Sequence, residues 1–402
     1  MNKVNILLII MLLLTSFVYA GDIEPTNLSL DEAIKFALGK NPKILNAEKE
    51  YNAAVGRKLQ MSAIPDIELE GEWVGEEGKI GLFQPLEFPG KRWLRSRVGY
   101  CEEKIAKTKW EMGKLLVTVD VKKVYYKVVL YEKIVLEIEK TIDLLKQFLE
   151  ITNVKYSSGI VPYMEVIRAK VELAKVKNEL IETRKELQIQ KRELNLLLGR
   201  KSNEPFILTS DISYTPFNKD ISEVKNEVMS KNNTLKIINL LLEKSQKSKS
   251  LSYMGLVPDF GSGLYKSRAD KIDNWGVEFK INIPLYFWWK QTGQIKEAQA
   301  YLSSAEIILS ATERNIDRAI EDTYESIKSS EEQAKNFKQI LLPEVEDALK
   351  TGISNYQTGQ IDALSLLDIY RTYKTTKIEY VKALYNYLSA LADLEIAGEE
   401  KE

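Results

Sequence analysis

Residues 64–91 read IPDIELEGEWVGEEGKIGLFQPLEFPGK, and residues 257–290 read VPDFGSGLYKSRADKIDNWGVEFKINIPLYFWWK. In the first stretch Ile67, Leu69, Gly71 and Trp73 alternate with Glu68, Glu70 and Glu72. Such a period of two marks a strand with one apolar and one acidic face. Ile80, Leu82, Gln84, Leu86 and Phe88 alternate again after a turn rich in Gly and Glu. In the second stretch strands are expected at 259–266 and 274–285. Trp275, Val277, Phe279, Ile281, Ile283 and Leu285 take one side there, with Gly276, Glu278, Lys280 and Asn282 on the other. Strands of about 9–11 residues with aromatics near their ends suit a membrane barrel. Trp73, Trp275, Phe287, Trp288 and Trp289 are its candidate interfacial anchors. The same alternation also builds the wet and dry faces of an ordinary sheet.

The two stretches are copies. Pro85, Leu86, Phe88 and Lys91 recur as Pro284, Leu285, Phe287 and Lys290, and Tyr156 and Gly159 recur as Tyr356 and Gly359. A steady offset of 199 to 200 residues indicates a duplicated unit, about 28–200 and about 221–398. Each unit is expected to run helix, two strands, long helix, turn, long helix. Ser29 with Glu32 reads as a capping box, and Asn41-Pro42 restarts a helix that Pro65 ends. From Lys91 to about Val154 there is no Pro, so a helix on the order of 90 Å is expected. It is answered by a return helix from Pro162 to about Leu198. The second copy repeats this over about 291–352 and 361–396, with a kink or short break at Pro343. Gly199 and Gly398 are expected to cap the return helices. Helices this long, with apolar stripes among Lys and Glu, call for antiparallel coiled-coil packing.

The first twenty residues carry Lys3, an apolar run from Ile6 to Leu14, and Val18-Tyr19-Ala20. They read as a cleaved signal peptide (1–20), since the run is short for a spanning helix. The remainder, 21–402, reads as one domain. The 57 Lys+Arg nearly balance 58 Asp+Glu, which argues against a nucleic-acid partner. With no His, general catalysis and metal ligation by imidazole are excluded. Cys101 is alone, so no internal disulfide exists, and it reads as an inert helical thiol. Neither a cofactor nor a metal site is expected, and no enzyme signature is present.

Four strands cannot close a barrel, because small barrels use about eight. An open edge cannot face lipid, where each unpaired backbone group costs several kcal/mol. If the strands enter a membrane, copies of the chain must share a wall; two or three copies both satisfy that condition.

Here the chain resembles the TolC family of outer-membrane efflux proteins along essentially its whole mature length. The resemblance is carried by LSLDEAIKFALGKNPKILNAEKEYNAA, by IPDIELEG and VPDFGSG, by the Tyr-x-x-Gly turns, and by ALYNYLSALADLEIAG. It implies a mainly α fold with a small β part: long hairpins forming an α-barrel in the periplasm, and four strands given to a twelve-stranded β-barrel of a homotrimer in outer-membrane lipid. It implies a periplasmic membrane-fusion adaptor and an inner-membrane pump, of RND type, as partners. QPLEFPGKR resembles the CzcC-like branch serving cation and heavy-metal pumps.

The turns at 156–162 and 356–362 lie farthest from the strands and would form the periplasmic mouth. Glycine at such turns supplies left-handed backbone. The resemblance adds adaptor docking at Gly159, Gly359 and Tyr156. It also places the aperture constriction at Asp368, Ser365, Glu165 and Tyr356. A ring of Asp368 would attract cations. The family's basic partner position is Ile361 here, leaving Arg371 and Arg168 as substitutes. The expected function is a passive exit duct for pumped solutes, metal cations among them. The alternatives are the duct of a type I protein secretion system, a soluble periplasmic coiled-coil scaffold or adaptor, and a cell-wall hydrolase.

Overall fold

The computed structural model describes residues 26–75, 77–269 and 272–399, so the expected signal peptide lies outside the described residues. A short strand β1 (Thr26–Leu28) leads into α1 (Leu30–Lys40) and α2 (Pro42–Ser62). Ser29 and Glu32 form the expected capping box, and Asn41 caps α2 with Pro42 in its first turn. Strands β2 (Glu68–Val74) and β3 (Glu77–Leu86) follow, then α3 (Pro89–Ser157) and α4 (Tyr163–Leu197). At 69 residues α3 is about 100 Å long. After β4 (Phe206–Leu208) the order repeats: α5 (Ile221–Lys231), α6 (Asn233–Met254), β5 (Asp259–Ala269) and β6 (Ile272–Asn282). The outward helix α7 (Lys290–Asn336) passes through a π-helical turn, Phe337–Leu341, into α8 (Leu342–Thr358), and α9 (Ala363–Leu394) returns.

Three expectations need correction. Strand β6 stops at Asn282 rather than residue 285, because Pro284 has no N–H to give a ladder. Strand β5 runs on to Ala269, three residues past its expected end. Pro343 does not break the helix. It sits in the first turn of α8, and the irregularity is the widened turn just before it, where a missing N–H is absorbed.

The four strands form one antiparallel sheet in the order β2-β3-β5-β6. The central contact joins the two copies, with Leu82 opposite Leu264. Strands β1 and β4 form a separate parallel pair, Asn27 opposite Ile207, that ties the chain's start to the linker between the copies. That linker is held down by side chains. Buried Glu331 of α7 accepts from the Tyr214 hydroxyl at 2.7 Å and the Phe217 N–H at 3.2 Å, and Tyr387 of α9 donates to the Thr215 carbonyl at 2.5 Å. The main core runs along α3, α4, α8 and α9, with Tyr125, Phe148, Tyr356 and Tyr387 among its fully buried side chains.

Candidate functional site: the sheet faces and the helical tips

The register sorts the sheet into two faces. One carries Leu69, Leu82, Leu264 and Val277 in a single cross-strand row, with Phe279 and Ile281 farther along β6. These side chains lie bare, from 56 % exposed at Leu82 to 78 % at Phe279. A continuous uncovered apolar face of this kind is foreign to a water-soluble monomer. The other face carries Glu68, Glu70 and Glu72 of β2, Lys79 of β3, and Glu278 and Lys280 of β6. Lys79 pairs with Glu278 at 2.6 Å, and Lys280 pairs with Glu70.

The candidate anchors sit at two levels. Trp73 and Trp275 belong to the apolar face near the hairpin turns, opposite Gly78 and Lys266. Phe287, Trp288 and Trp289 follow β6 at the helical end, where Tyr286 stacks on Trp289. Trp73 is 65 % exposed and Trp289 74 %. Eleven residues of β6 tilted by about 45° span roughly 25 Å, the height of a barrel's apolar band.

The tips repeat one another. Ile160 N–H donates to the Lys155 carbonyl and Gln360 N–H to the Asn355 carbonyl, both across a glycine with positive φ (72° at Gly159, 81° at Gly359). Each is a Schellman closure, which needs the left-handed backbone glycine allows. Asp362 caps α9, accepting from the Ser365 N–H at 2.9 Å and its hydroxyl at 2.6 Å. Tyr156 is exposed and lies against Tyr163 with ring centroids 5.1 Å apart.

Tyr356 departs from the expected role. It is 1 % exposed, so its ring is core and cannot line an aperture. Its hydroxyl donates to Glu165 and meets Thr152, both at 3.1 Å, and its ring packs against Phe148. The Lys155 ammonium lies over that ring and donates to the Tyr356 carbonyl. Burial pushes the Tyr356 phenol up to about 12, so it stays a donor at any neutral pH. Glu165 is therefore committed to Tyr356, whereas Asp368 is exposed on α9.

Arg371 does have a partner, and sequence reasoning had not found it. Its guanidinium grips Glu172 of α4 through two bonds of 2.9 and 2.6 Å, and Lys374 reaches Glu179 one turn farther on. These pairs clasp the return helices of the two copies together. The Arg371 hydrogen bonds hold the buried Glu172 carboxyl below the usual range. An acidic residue on an otherwise apolar stretch of α4, Val166, Ala169, Leu173 and Val176, was the available signal. Arg168, the other proposed substitute, is exposed. Among the described residues no cluster is arranged to hold a metal ion, and no helix is long and apolar enough to cross a membrane.

Residues 231–397 match the outer membrane efflux protein family. The match lies within the second copy of the duplicated unit. It is 21 % identical over 362 residues to the cobalt-zinc-cadmium resistance protein CzcC of Cupriavidus metallidurans, covering 89 % of this chain and 86 % of that one. Its fold matches the outer membrane protein VceC of Vibrio cholerae with a TM-score of 0.78 at 17 % identity, over 92 % of this chain and 95 % of that one. It matches CusC, a protein studied for transmembrane channel formation, with a TM-score of 0.80 at 16 % identity over 92 % of both chains. The chain thus shares the fold of these two proteins.

Proposed function

We propose that the chain is an outer membrane efflux protein of TolC-like architecture, working as a homotrimeric duct whose twelve pooled strands seal a β-barrel in outer-membrane lipid. The observation that carries this reading is the bare apolar face of a four-stranded sheet with two open edges, β2 and β6. Only lipid can cover that face, and only further strands can satisfy those edges. Trp73 and Trp275 at one level, and Phe287, Trp288 and Trp289 at the other, are its interfacial girdles. Residues 21–402 form one domain of two repeats, and the duct does no chemistry of its own.

The helical tips around Gly159, Gly359 and Tyr156 receive a periplasmic adaptor, and an RND-type inner-membrane pump supplies the energy. Three Asp368 carboxylates ring the closed mouth, with Ser365 beside them. Glu165 and Tyr356 act from within each protomer by holding the tip in shape. The cargo is a metal cation, supported by the likeness to a metal-resistance protein and by the acidic polar face of the sheet.

Reconstitution in planar bilayers tests the duct. Large, cation-preferring single channels from an oligomer that resists an unheated gel are expected. A monomer without conductance would end the proposal. Loss of cation preference in Asp368→Asn checks the ring separately.

A further inference from the structure

The polar face of the sheet has a construction that a generic wet face does not need. Phe83 lies flat across β5, and a Cβ at Gly261 would stand 2.2 Å from its ring. The Tyr265 ring covers Gly276 in the same way, 2.4 Å from where its Cβ would be, while a Cβ at Gly81 would stand 2.7 Å from the Tyr265 Cβ. The glycines clear the floor, and the two rings plate it. Each plate carries a lysine: the Lys280 ammonium sits 4.2 Å from the Phe83 centroid, and the Lys79 ammonium 4.2 Å from the Tyr265 centroid. Cation–π contact of this kind holds a long side chain against the wall.

The lysines also neutralise particular carboxylates. Lys79 pairs with Glu278, and Lys280 bridges Glu278 at 3.4 Å and Glu70. Glu70 and Lys280 stand on opposite edge strands, three strand spacings across and four residues along, on the order of 20 Å apart on a flat sheet. A direct ion pair between them requires the sheet to curl toward its polar face, which makes that face the concave, lumen side. Glu68 and Glu72 have no ion pair among the described residues. Of the four carboxylates Glu68, Glu70, Glu72 and Glu278, the two lysines therefore offset two.

We infer that Lys79 and Lys280 are specificity-determining residues of the duct's outer end: laid on aromatic plates, they set how strongly the barrel lumen prefers cations over anions. The inference rests on the barrel reading above. It places a second selectivity element at the opposite end of the molecule from Asp368. Charges on a narrow, low-dielectric wall act directly on permeant ions, and a trimer multiplies each change by three.

The test is the reversal potential of single channels under a KCl gradient, with the full-length protein. Lys280→Met and Lys79→Met each keep the stem over the ring and remove the charge. Each is expected to raise the K⁺/Cl⁻ permeability ratio by about two- to fivefold. Lys280→Arg should match the parent, and the double variant Lys280→Met/Glu70→Gln, which deletes both charges together, should return close to it. Unchanged ratios in both Met variants, in channels that conduct normally, overturn the inference and leave the duct standing. No channel from the unsubstituted protein overturns the duct and this inference together. A double variant whose ratio stays as high as that of Lys280→Met also overturns it.

Discussion

Glu172 and Arg371 stand 199 residues apart in sequence and 2.6 Å apart at their nearest atoms. Their bond is the kind of contact a sequence cannot announce, since both residues sit among dozens of helical charges. Its worth is bounded by geometry. Glu172 is buried while Arg371 is half-exposed, so screening trims a charge-assisted pair to about 1–2 kcal/mol. Because the Glu172 carboxyl is lowered by Arg371, the clasp is fully present above the ordinary glutamate range near 4.3 and is lost as pH falls through the lowered value. Acidification through that lowered value should therefore weaken the hold of α4 on α9. Glu172→Gln should separate them at neutral pH and remove this part of the pH dependence. Spin-label distances between α4 and α9 would report both effects; equal distances in the parent and in Glu172→Gln at pH 7 would refute the clasp.

Two further residues can be weighed at this scale. Tyr356→Phe keeps the buried ring but loses its bonds to Glu165 and Thr152, at about 0.5–1.5 kcal/mol. More frequent openings in single-channel records, with little change in assembly, are expected. Gly359→Ala adds a Cβ that meets nothing within 4 Å, so its cost is purely conformational, about 1–2 kcal/mol. Thermal melts of the assembled protein should show Gly359→Asn less affected than Gly359→Ala. The importance of Gly359 was legible from the Tyr-x-x-Gly repeat. The burial of Tyr356 was not, because one period of a helix end does not say which side its neighbour helix occupies.

Among the elements, the strands and the long helices were readable and the exceptions were not. Alternation over Trp275–Ile281 is a signal contained within one segment, and so is a Pro-free run such as Lys91–Val154. The pair β1 and β4 has three residues in each strand and partners 180 residues distant, so it leaves no period to detect. Pro343 announces a kink or short break but not the widened turn at Phe337–Leu341 that precedes it. A π-helical turn is one extra residue in an α-helix. Deleting Lys338 should therefore close the turn and keep α8 in phase, with Tyr356 still against Glu165. Inserting an Ala at the same place should rotate α8 by about 100° and unseat that contact. Oligomer survival on unheated gels should be retained in the deletion and lost in the insertion.

For the whole molecule, the sheet faces decide what assembly is possible. A protomer buries its helices well along Tyr125, Phe148 and Tyr387, yet leaves Val277, Phe279 and Ile281 largely bare. Good helical packing alone therefore does not finish the fold; in the proposed duct the strands are completed by lipid and by neighbouring copies. This division predicts opposite tolerance on the two faces of one strand. Val277→Arg puts a charge into hydrocarbon at a cost of about 2–4 kcal/mol per protomer, felt three times in a trimer. Asn274→Arg, on the polar face with Glu278, meets water and carboxylates instead. After membrane fractionation, Val277→Arg should be missing from the outer membrane and Asn274→Arg should be recovered there as an oligomer. Chemical cross-linking of the recovered protein should give a ladder that ends at three. A ladder ending at two would require eight strands with a side-chain-filled interior, too narrow for a duct.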